Sequence, residues 1–269
     1  MSAWEDAARV LSEGEGVEEL DLGETWTQGP GIYGGLTAAA LARAFQRRAP
    51  GLPLRSMALQ YCAPLPAGRA VARVRTDRRG TKSAFVSGQL EAGGGVAVSA
   101  MATLAADRAG DLDHVDVMAP EPPPPDEAFA LPYLAGVVPV FTQHLDARFV
   151  TGIPYGSAPQ ARSSAWVRWR EPSPVDRPLL VGLLDAMPPA LLAKATPGRA
   201  ASTVTFQLHL LAPIESLGIP DDAWLFSEVW SDVTRSGWSD EEIRLWWLDA
   251  PDPAHRLLAV GRQLFALLR

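Results

Sequence analysis

This sequence has little cysteine, no clustered histidine and no long apolar run. Cys62 is the single cysteine, so no disulfide can form within the chain, and a reducing compartment such as the cytoplasm is expected. No apolar stretch approaches the roughly 18–20 residues of a membrane span, and the first residues lack the basic and apolar regions of a signal peptide. The histidines lack metal-ligand spacing, so we expect no metal or other cofactor. They are His114, His144, His209 and His255.

Basic residues are also fewer than acidic ones. The formal net charge is -7, from 24 Lys and Arg against 31 Asp and Glu. A nucleic-acid partner requires a basic surface, so this balance argues against one, although a phosphorylated small ligand needs only a local cluster of cations. Hydrophobic residues make up 47% and charged residues 20%, which is the composition of a globular protein with a substantial core.

A proline-rich segment divides the chain. Residues 120–126 read Pro-Glu-Pro-Pro-Pro-Pro-Asp and follow the acidic residues Asp111, Asp113 and Asp116. Clustered prolines favour extended backbone without ladder hydrogen bonds, so this segment is interpreted as a linker. The predicted division is an N-terminal domain at 1–108, a linker at 109–138 and a C-terminal domain at 139–269.

Each half repeats one order of elements. In the first, a glycine turn at 29–35 leads into an Ala-rich and Leu-rich helix at 36–45; in the second, an apolar helical run spans 179–194. The strand after each helix ends alike, in Ala-Pro at 63–64 and at 212–213. A repeat of more than about a hundred residues indicates domain duplication, and the predicted class is α+β with antiparallel strands. Strand-like runs lie at 54–64, 70–76, 83–91, 96–105, 143–150, 163–170, 202–213, 224–233, 241–248 and 257–267.

Six short motifs follow one another along the chain. They are the glycine turn with Leu-Thr-Ala-Ala-Ala at 29–40, Arg-Ser-Met-Ala-Leu-Gln-Tyr at 55–61, Gly-Thr-Lys-Ser-Ala-Phe at 80–85, Leu-Asp-Ala-Met-Pro-Pro at 184–189, Ala-Ser-Thr-Val-Thr at 201–205 and Leu-Ala-Val-Gly-Arg-Gln at 258–263. Their joint order and spacing resemble the acyl-CoA thioesterase II family, the double-hotdog thioesterases. The resemblance implies an α+β double hotdog, with two antiparallel sheets each wrapped on a central helix. It also implies a hydrolase of lipid metabolism that releases free acid and CoA from acyl-CoA.

The resemblance also assigns a catalytic trio. The family has an Asp at the second-half helix, a Thr or Ser at the start of the next strand and a Gln in the last strand, which fall on Asp185, Thr203 and Gln263. A carboxylate can take a proton from water, and the hydroxyl and amide can orient that water. The oxyanion is expected on backbone N–H groups near a helix N-terminus. The sequence departs from relatives at 205–206, where Thr-Phe replaces a frequent Asp-His pair, and at 264–265, where Leu-Phe replaces small polar residues.

Further residues are candidates for substrate binding. The glycine turn offers Gly34 and Gly35, and a basic hairpin offers cations for the CoA phosphates: Arg78, Arg79 and Lys82. Matching the last strands of the two halves puts Met101 where Gln263 stands. We therefore expect one working site, built mainly by the second half and completed by the first.

Each assigned residue has a structural alternative. Asp185 also suits a helix N-cap before Pro188. Threonine is common in strands, and Ser202 and Thr205 are rivals for the hydroxyl role of Thr203. A buried Gln263 must find hydrogen-bond partners whatever its function. Cys62 lies in a strand and is expected in the core rather than as a nucleophile.

Two other functions remain open on this evidence. A hotdog enoyl-CoA hydratase or dehydratase would call for an Asp-x4-His pair on the helix, and no Asp stands five residues before any histidine. A non-catalytic acyl-thioester-binding protein of the same fold is the other alternative. Aromatic strand residues, including Trp246 and Trp247, suggest a homo-oligomer, either a dimer or a higher assembly.

Overall fold

The computed structural model describes residues 2–108, 112 and 114–268. The first half contains the helices α1 (Ala3–Asp6) and α2 (Gly34–Arg48), and the strands β1 (Ala8–Gly14), β2 (Val17–Leu22), β3 (Thr27–Gln28), β4 (Gly31–Ile32), β5 (Leu54–Tyr61), β6 (Gly68–Arg79), β7 (Ser83–Ala92) and β8 (Gly95–Ala105). The second half contains the strands β9 (Phe129–Ala130), β10 (Leu145–Thr151), β11 (Arg162–Trp169), β12 (Ala200–Leu210), β13 (Leu225–Arg235), β14 (Trp238–Trp246) and β15 (Leu257–Leu268), and the helix α3 (Arg177–Leu184).

All strands except β3 and β4 form one antiparallel sheet of 13 strands. Its order is β1-β2-β6-β7-β8-β5-β12-β15-β14-β13-β11-β10-β9, so β5 and β12 pair at the centre and join the two halves. The expectation of two separate sheets is wrong for this reason. Each central strand would otherwise expose an unpaired edge, and the other half supplies its partner.

The central pairing has two-fold symmetry. Ala58 stands opposite Gln207, and the pairs Met57–Leu208 and Leu59–Phe206 flank that point symmetrically. Outward from the centre, β5, β8, β7, β6 and β2 on one side match β12, β15, β14, β13 and β11 on the other. The two halves therefore have the same strand order, and each carries a helix before its central strand.

The two main helices pack against each other on the inner side of the sheet. The structure confirms the helix predicted at 36–45, which extends to Gly34–Arg48 and is buried along most of its length. The helical run predicted at 179–194 is wrong in its second part. Helix α3 ends at Leu184 because Pro188 and Pro189 cannot continue it, and Ala190–Ala193 form a separate 3₁₀ turn.

The described part of the linker lies along the outer face of the second half. The Pro123 carbonyl accepts a hydrogen bond from the Trp166 indole at 2.9 Å, and Trp166 packs with Phe226 and Trp246 in an apolar cluster separate from the main core. Trp246 and Trp247 are both buried, so these two aromatics do not form an exposed interface. Asp111 and Asp113 lie outside the described residues.

Candidate active site

The first turn of α2 meets the end of α3 where the two helices cross. A Cβ atom added at Gly34 would lie 2.8 Å from Asp185 Oδ2, and one added at Gly35 would lie 2.6 Å from the Gly182 carbonyl oxygen. A Cβ atom at Gly182 would collide with the Trp4 ring. The Gly182 carbonyl accepts a hydrogen bond from the Tyr33 hydroxyl. Glycine at these positions permits a backbone approach that any other side chain would block.

Asp185 lies at this crossing. It is the C-cap of α3, with φ -96° and ψ 4°, and its N–H bonds the Gly182 carbonyl at 3.2 Å. The N-cap role considered from the sequence belongs instead to Asp176, whose carboxylate accepts the Leu179 N–H at 2.8 Å. Asp185 therefore faces the N-terminal turn of the other helix with its side chain partly exposed.

A chain of hydrogen bonds links Asp185 to the sheet. The Thr203 hydroxyl donates to Gln263 Oε1 at 2.9 Å, and Gln263 Nε2 donates to Asp185 Oδ1 at 2.6 Å. These hydrogen bonds fix the orientation of the Gln263 amide, because a reversed amide would place its oxygen against the Asp185 carboxylate. Among the rival hydroxyls, Ser202 is exposed and Thr205 follows a bulge in β12, so Thr203 is the one that joins the chain.

The comparisons with known proteins bear on the whole chain. Residues 22–105 match the acyl-CoA thioesterase N-terminal domain, and residues 113–267 match the acyl-CoA thioesterase C-terminal domain. The chain belongs to the acyl-CoA thioesterase family. It is accordingly a thioester hydrolase. No curated relative matches the sequence significantly.

Solved structures establish the hotdog fold of this thioesterase. A protein of unknown function with a hot dog fold from Alicyclobacillus acidocaldarius is 22% identical, with a TM-score of 0.89 over 100% of this chain and 99% of its own. A putative thioesterase II from Thermobifida fusca is 22% identical, with a TM-score of 0.84 over 100% and 98%. The acyl-CoA thioesterase II TesB2 from Mycobacterium marinum is 18% identical, with a TM-score of 0.75 over 99% and 97%.

Burial sets the charge state of the thioesterase's Asp185. Removal from water raises the pKa of this carboxyl to about 7, while hydrogen bonds from the Gln263 side chain and the Gly35 N–H act in the opposite direction. Tyr33 and Tyr61 stay protonated, since burial and the nearby Asp185 charge raise their pKa values. The Tyr61 hydroxyl donates to the Gly34 carbonyl at 3.0 Å, which braces the glycine turn. A carboxyl with a pKa near neutrality is suited to proton transfer.

The two-fold match corrects one residue of the sequence comparison. The pair Phe206–Gln263 in the second half corresponds to Met57–Ala102 in the first. The residue in the place of Gln263 is therefore Ala102, and Met101 is wrong by one position. Met101 points to the other face of the sheet and is 64% exposed. Neither residue has a hydrogen-bonding side chain, so the hydrogen-bond chain of the second half has no copy at this position.

The thioesterase structure bears on two other sequence-based interpretations. Arg79 donates to the carbonyls of Arg48 and Pro50, at the far end of α2. A helix of 15 residues spans about 22 Å at roughly 1.5 Å per residue, so the hairpin of Arg78, Arg79 and Lys82 does not meet Asp185. Cys62 was expected in the core, but β5 ends one residue earlier and Cys62 is exposed.

A cavity of about 710 Å³ opens in the second half, at the end of β15 that lies beyond Gln263. Leu191 and Lys194 line it from the 3₁₀ turn that follows Asp185, and Leu267 lines it from β15. Arg162 and Arg199 add two further cations to its wall. Lys194 and Arg199 form no ion pair with any described residue, whereas Arg162 pairs with Asp232 at 3.1 Å. This local cluster of positive charge is notable on a chain of net charge -7.

One buried acid escaped the sequence analysis. Glu241 on β14 stands directly opposite Gln263 in the sheet and is only 2% exposed. Its sequence signal was the strand alternation of Ser239, Glu241, Ile243 and Leu245, which puts an acid in an inward position. Within the described part of the chain, no cluster of His, Cys, Asp or Glu is suited to a metal, and no helix is long and apolar enough to cross a membrane.

The raised pKa of Asp185 predicts a pH-dependent cost to stability. The pKa is about 7 in the folded protein against 3.8 for an ordinary aspartate carboxyl, so ionisation destabilises the fold fully above pH 7 and not at all below the unfolded value. We expect Asp185→Asn to melt several degrees above the wild type at pH 8, with the difference shrinking towards pH 5. Thermal unfolding at both pH values measures this, with the exposed Asp249→Asn as a matched control. A variant that melts below the wild type at pH 8 would contradict the buried-charge account.

Proposed function

We propose that this thioesterase hydrolyses acyl-CoA with a water molecule that Asp185 activates. The observation that carries the proposal is the hydrogen-bonded chain Thr203–Gln263–Asp185, which ends beside the first turn of α2. Gln263 holds Oδ1 of the carboxylate, while Oδ2 faces the glycine turn. Each carboxylate oxygen can accept more than one hydrogen bond, so Oδ2 can accept one from a water molecule in addition to the contacts of the glycine turn, which supports a general-base role.

The reaction then follows in balanced steps. Asp185 takes a proton from the water as its oxygen attacks the thioester carbonyl carbon. The negative charge on the carbonyl oxygen is stabilised at the N-terminal turn of α2, where the helix dipole favours an anion. When the intermediate collapses, the C–S bond breaks and the proton held by Asp185 passes to the CoA sulfur. The products are the free acid and CoA.

We assign the CoA phosphates to the cavity at the end of β15. Lys194 and Arg199 carry unpaired positive charge, which suits phosphate oxygens. Leu267 in its wall lies four residues beyond Gln263 on β15, about 13 Å away at roughly 3.3 Å per residue. The cavity volume of 710 Å³ is also in the range of ligand sites. The flexible pantetheine arm would bridge the interval to Asp185.

The proposal includes one working site per chain. The domains at 1–108 and 139–269, joined by 109–138, supply it unequally: the first contributes the glycine turn and the second contributes the acid, hydroxyl and amide. We also propose that the protein forms a homo-oligomer, which is supported by the exposed apolar side chains of Met101 on β8 and Phe85 on β7. A hydratase mechanism has less support, since three of the histidines lie elsewhere: His144 stacks on Trp26, and His114 and His255 approach other acids.

Replacement of the trio gives a kinetic prediction. Asp185→Asn removes the base and should lower kcat by roughly 10²–10⁴-fold. Thr203→Val and Gln263→Ala should each cost less, and the losses should not add to that of Asp185→Asn because the three groups act as a unit. Thiol release from a medium-chain acyl-CoA measures the rate, with Asp249→Asn as the control. Full turnover by a folded Asp185→Asn protein would remove Asp185 from the mechanism.

Two basic clusters compete for the CoA phosphates, and kinetics separates them. We expect Lys194→Ala with Arg199→Ala to raise KM for acyl-CoA about tenfold, equivalent to about 1.4 kcal/mol, and to leave kcat near wild type. The matched double variant Arg78→Ala with Lys82→Ala should leave both constants unchanged. Hydrolysis of the corresponding acyl-pantetheine, which has no nucleotide phosphates, should not respond to either change. A KM increase confined to the Arg78–Lys82 variant would move the phosphate site to the hairpin.

A further inference from the structure

Glu241 is a buried carboxyl that the proposed reaction does not use. It occupies an inward position of β14 between Ser239 and Ile243, both of which are buried. Glutamate is rarely buried without a charged partner. In the described part of the chain no Lys or Arg pairs with it, and its one hydrogen bond comes from the Ala190 N–H. Its position therefore calls for an explanation other than an ion pair.

Its neighbours connect it to the active site on two sides. On β15 it stands opposite Gln263, which holds Asp185. Its carboxylate also accepts a hydrogen bond from the N–H of Ala190, the first residue of the 3₁₀ turn that follows the segment 185–189. Glu241 thus ties the end of the loop that carries Asp185 to the sheet, at the strand position beside the residue whose amide orients Asp185.

The first half provides an internal comparison. There, Val86 stands opposite Ala102 in the register that Glu241 and Gln263 occupy in the second half. Both first-half residues are buried, with exposures of 1% and 6%. An apolar pair therefore satisfies the fold at this place. The acid and amide occur together only in the half that carries Asp185, which points to a role in the reaction rather than in folding.

The charges around Glu241 leave Asp185 as its one close electrostatic neighbour. The part of β13 opposite Glu241 is a bulge. Its one acidic residue, Asp232, is exposed and forms an ion pair with Arg162. On β15, Arg262 is exposed and paired with Asp240. The loop contributes Lys194, which is exposed, and α3 contributes Arg177, which pairs with Glu215. Tyr33 and Tyr61 from the first half stay neutral because their pKa values are raised.

Two carboxyls in one dry region do not ionise independently. Burial, with a further contribution from the Asp185 charge, raises the pKa of Glu241 to about 8, above the value of about 7 for Asp185. At a pH between the two values the pair therefore carries close to one negative charge. A second charge at higher pH would oppose the developing oxyanion beside it.

We propose that Glu241 is a positioning residue for the thioesterase reaction, which holds the Asp185 loop through the Ala190 N–H beside Gln263 and must itself be protonated for full turnover. The proposal rests on the proposed role of Asp185. It adds that the neutral carboxyl of Glu241 limits the active site to one negative charge before water attacks.

The test is the pH dependence of kcat in Glu241→Gln. Glutamine retains an oxygen that can accept the Ala190 N–H but cannot ionise. The wild type should give a bell-shaped profile, with the alkaline limb falling about tenfold per pH unit. Glu241→Gln should keep the acid limb and lose the alkaline limb, or shift it upwards by at least about one unit. The exposed neighbour Glu242→Gln should reproduce the wild-type profile. Rates are corrected for spontaneous thioester hydrolysis, and melting curves at each pH confirm folding.

A second variant separates anchoring from charge. Glu241→Val copies the first-half residue Val86 and removes the acceptor for the Ala190 N–H. It should lower kcat across the whole pH range while the protein remains folded. A Glu241→Gln profile identical to the wild type, or a wild type without an alkaline limb, would overturn the proposal. If either result is found and Asp185→Asn is inactive, only the role of Glu241 is overturned and the proposed function is retained. A fully active Asp185→Asn protein would overturn the proposed function itself.

Discussion

The close contact between the first turn of α2 and the last turn of α3 determines where the groups of the candidate active site lie. It depends on glycine at 34, 35 and 182, since a Cβ atom at any of these positions would meet Asp185, Tyr33 or Trp4. The contact brings the carbonyl end of one helix and the N–H end of the other to opposite sides of a single carboxyl. Asp185 is thereby buried enough for a pKa near neutrality and lies beside the N-terminal end of α2, whose dipole favours an anion.

The two halves share one strand arrangement but differ in the polar residues at matching positions. The pairing of β5 with β12 relates the two halves by an internal two-fold axis, so each position in one half has a counterpart in the other. At the counterparts of Glu241 and Gln263 the first half has Val86 and Ala102. The first half has apolar residues at these positions but provides the helix N-terminus that faces Asp185. A single composite site is the arrangement that both observations favour.

Much of the architecture was predictable because it depends on local sequence signals. Helix α2 and the long strands β5 to β8 follow from alternation, glycine turns and alanine-rich periodicity, and the Ala-Pro strand ends reveal the duplication. The single sheet was not predictable, because pairing of β5 with β12 is a contact between distant segments with no local signal. The break in the second helix was readable from Pro188 and Pro189, and the sequence prediction gave too much weight to the apolar run.

The site was predictable only in part. Asp185, Thr203 and Gln263 came from the family resemblance, and the structure brings them into one hydrogen-bonded chain. Nothing in the sequence indicates that Glu241 lies beside them, because that neighbourhood is created by strand register. The hairpin at 78–82 attracted attention through its charge alone, and its Arg79 is engaged in capping the C-terminal end of α2.

A crystal structure with an acyl-CoA analogue tests the central claim, a single composite site around Asp185, most directly. A methylene in place of the thioester sulfur prevents hydrolysis but keeps the carbonyl. We predict one analogue per chain, with the carbonyl carbon facing Asp185 Oδ2, the carbonyl oxygen directed to the first turn of α2 and the phosphates beside Lys194 and Arg199. An analogue bound with its carbonyl away from Asp185, or a second equivalent bound beside Val86 and Ala102, would contradict the account.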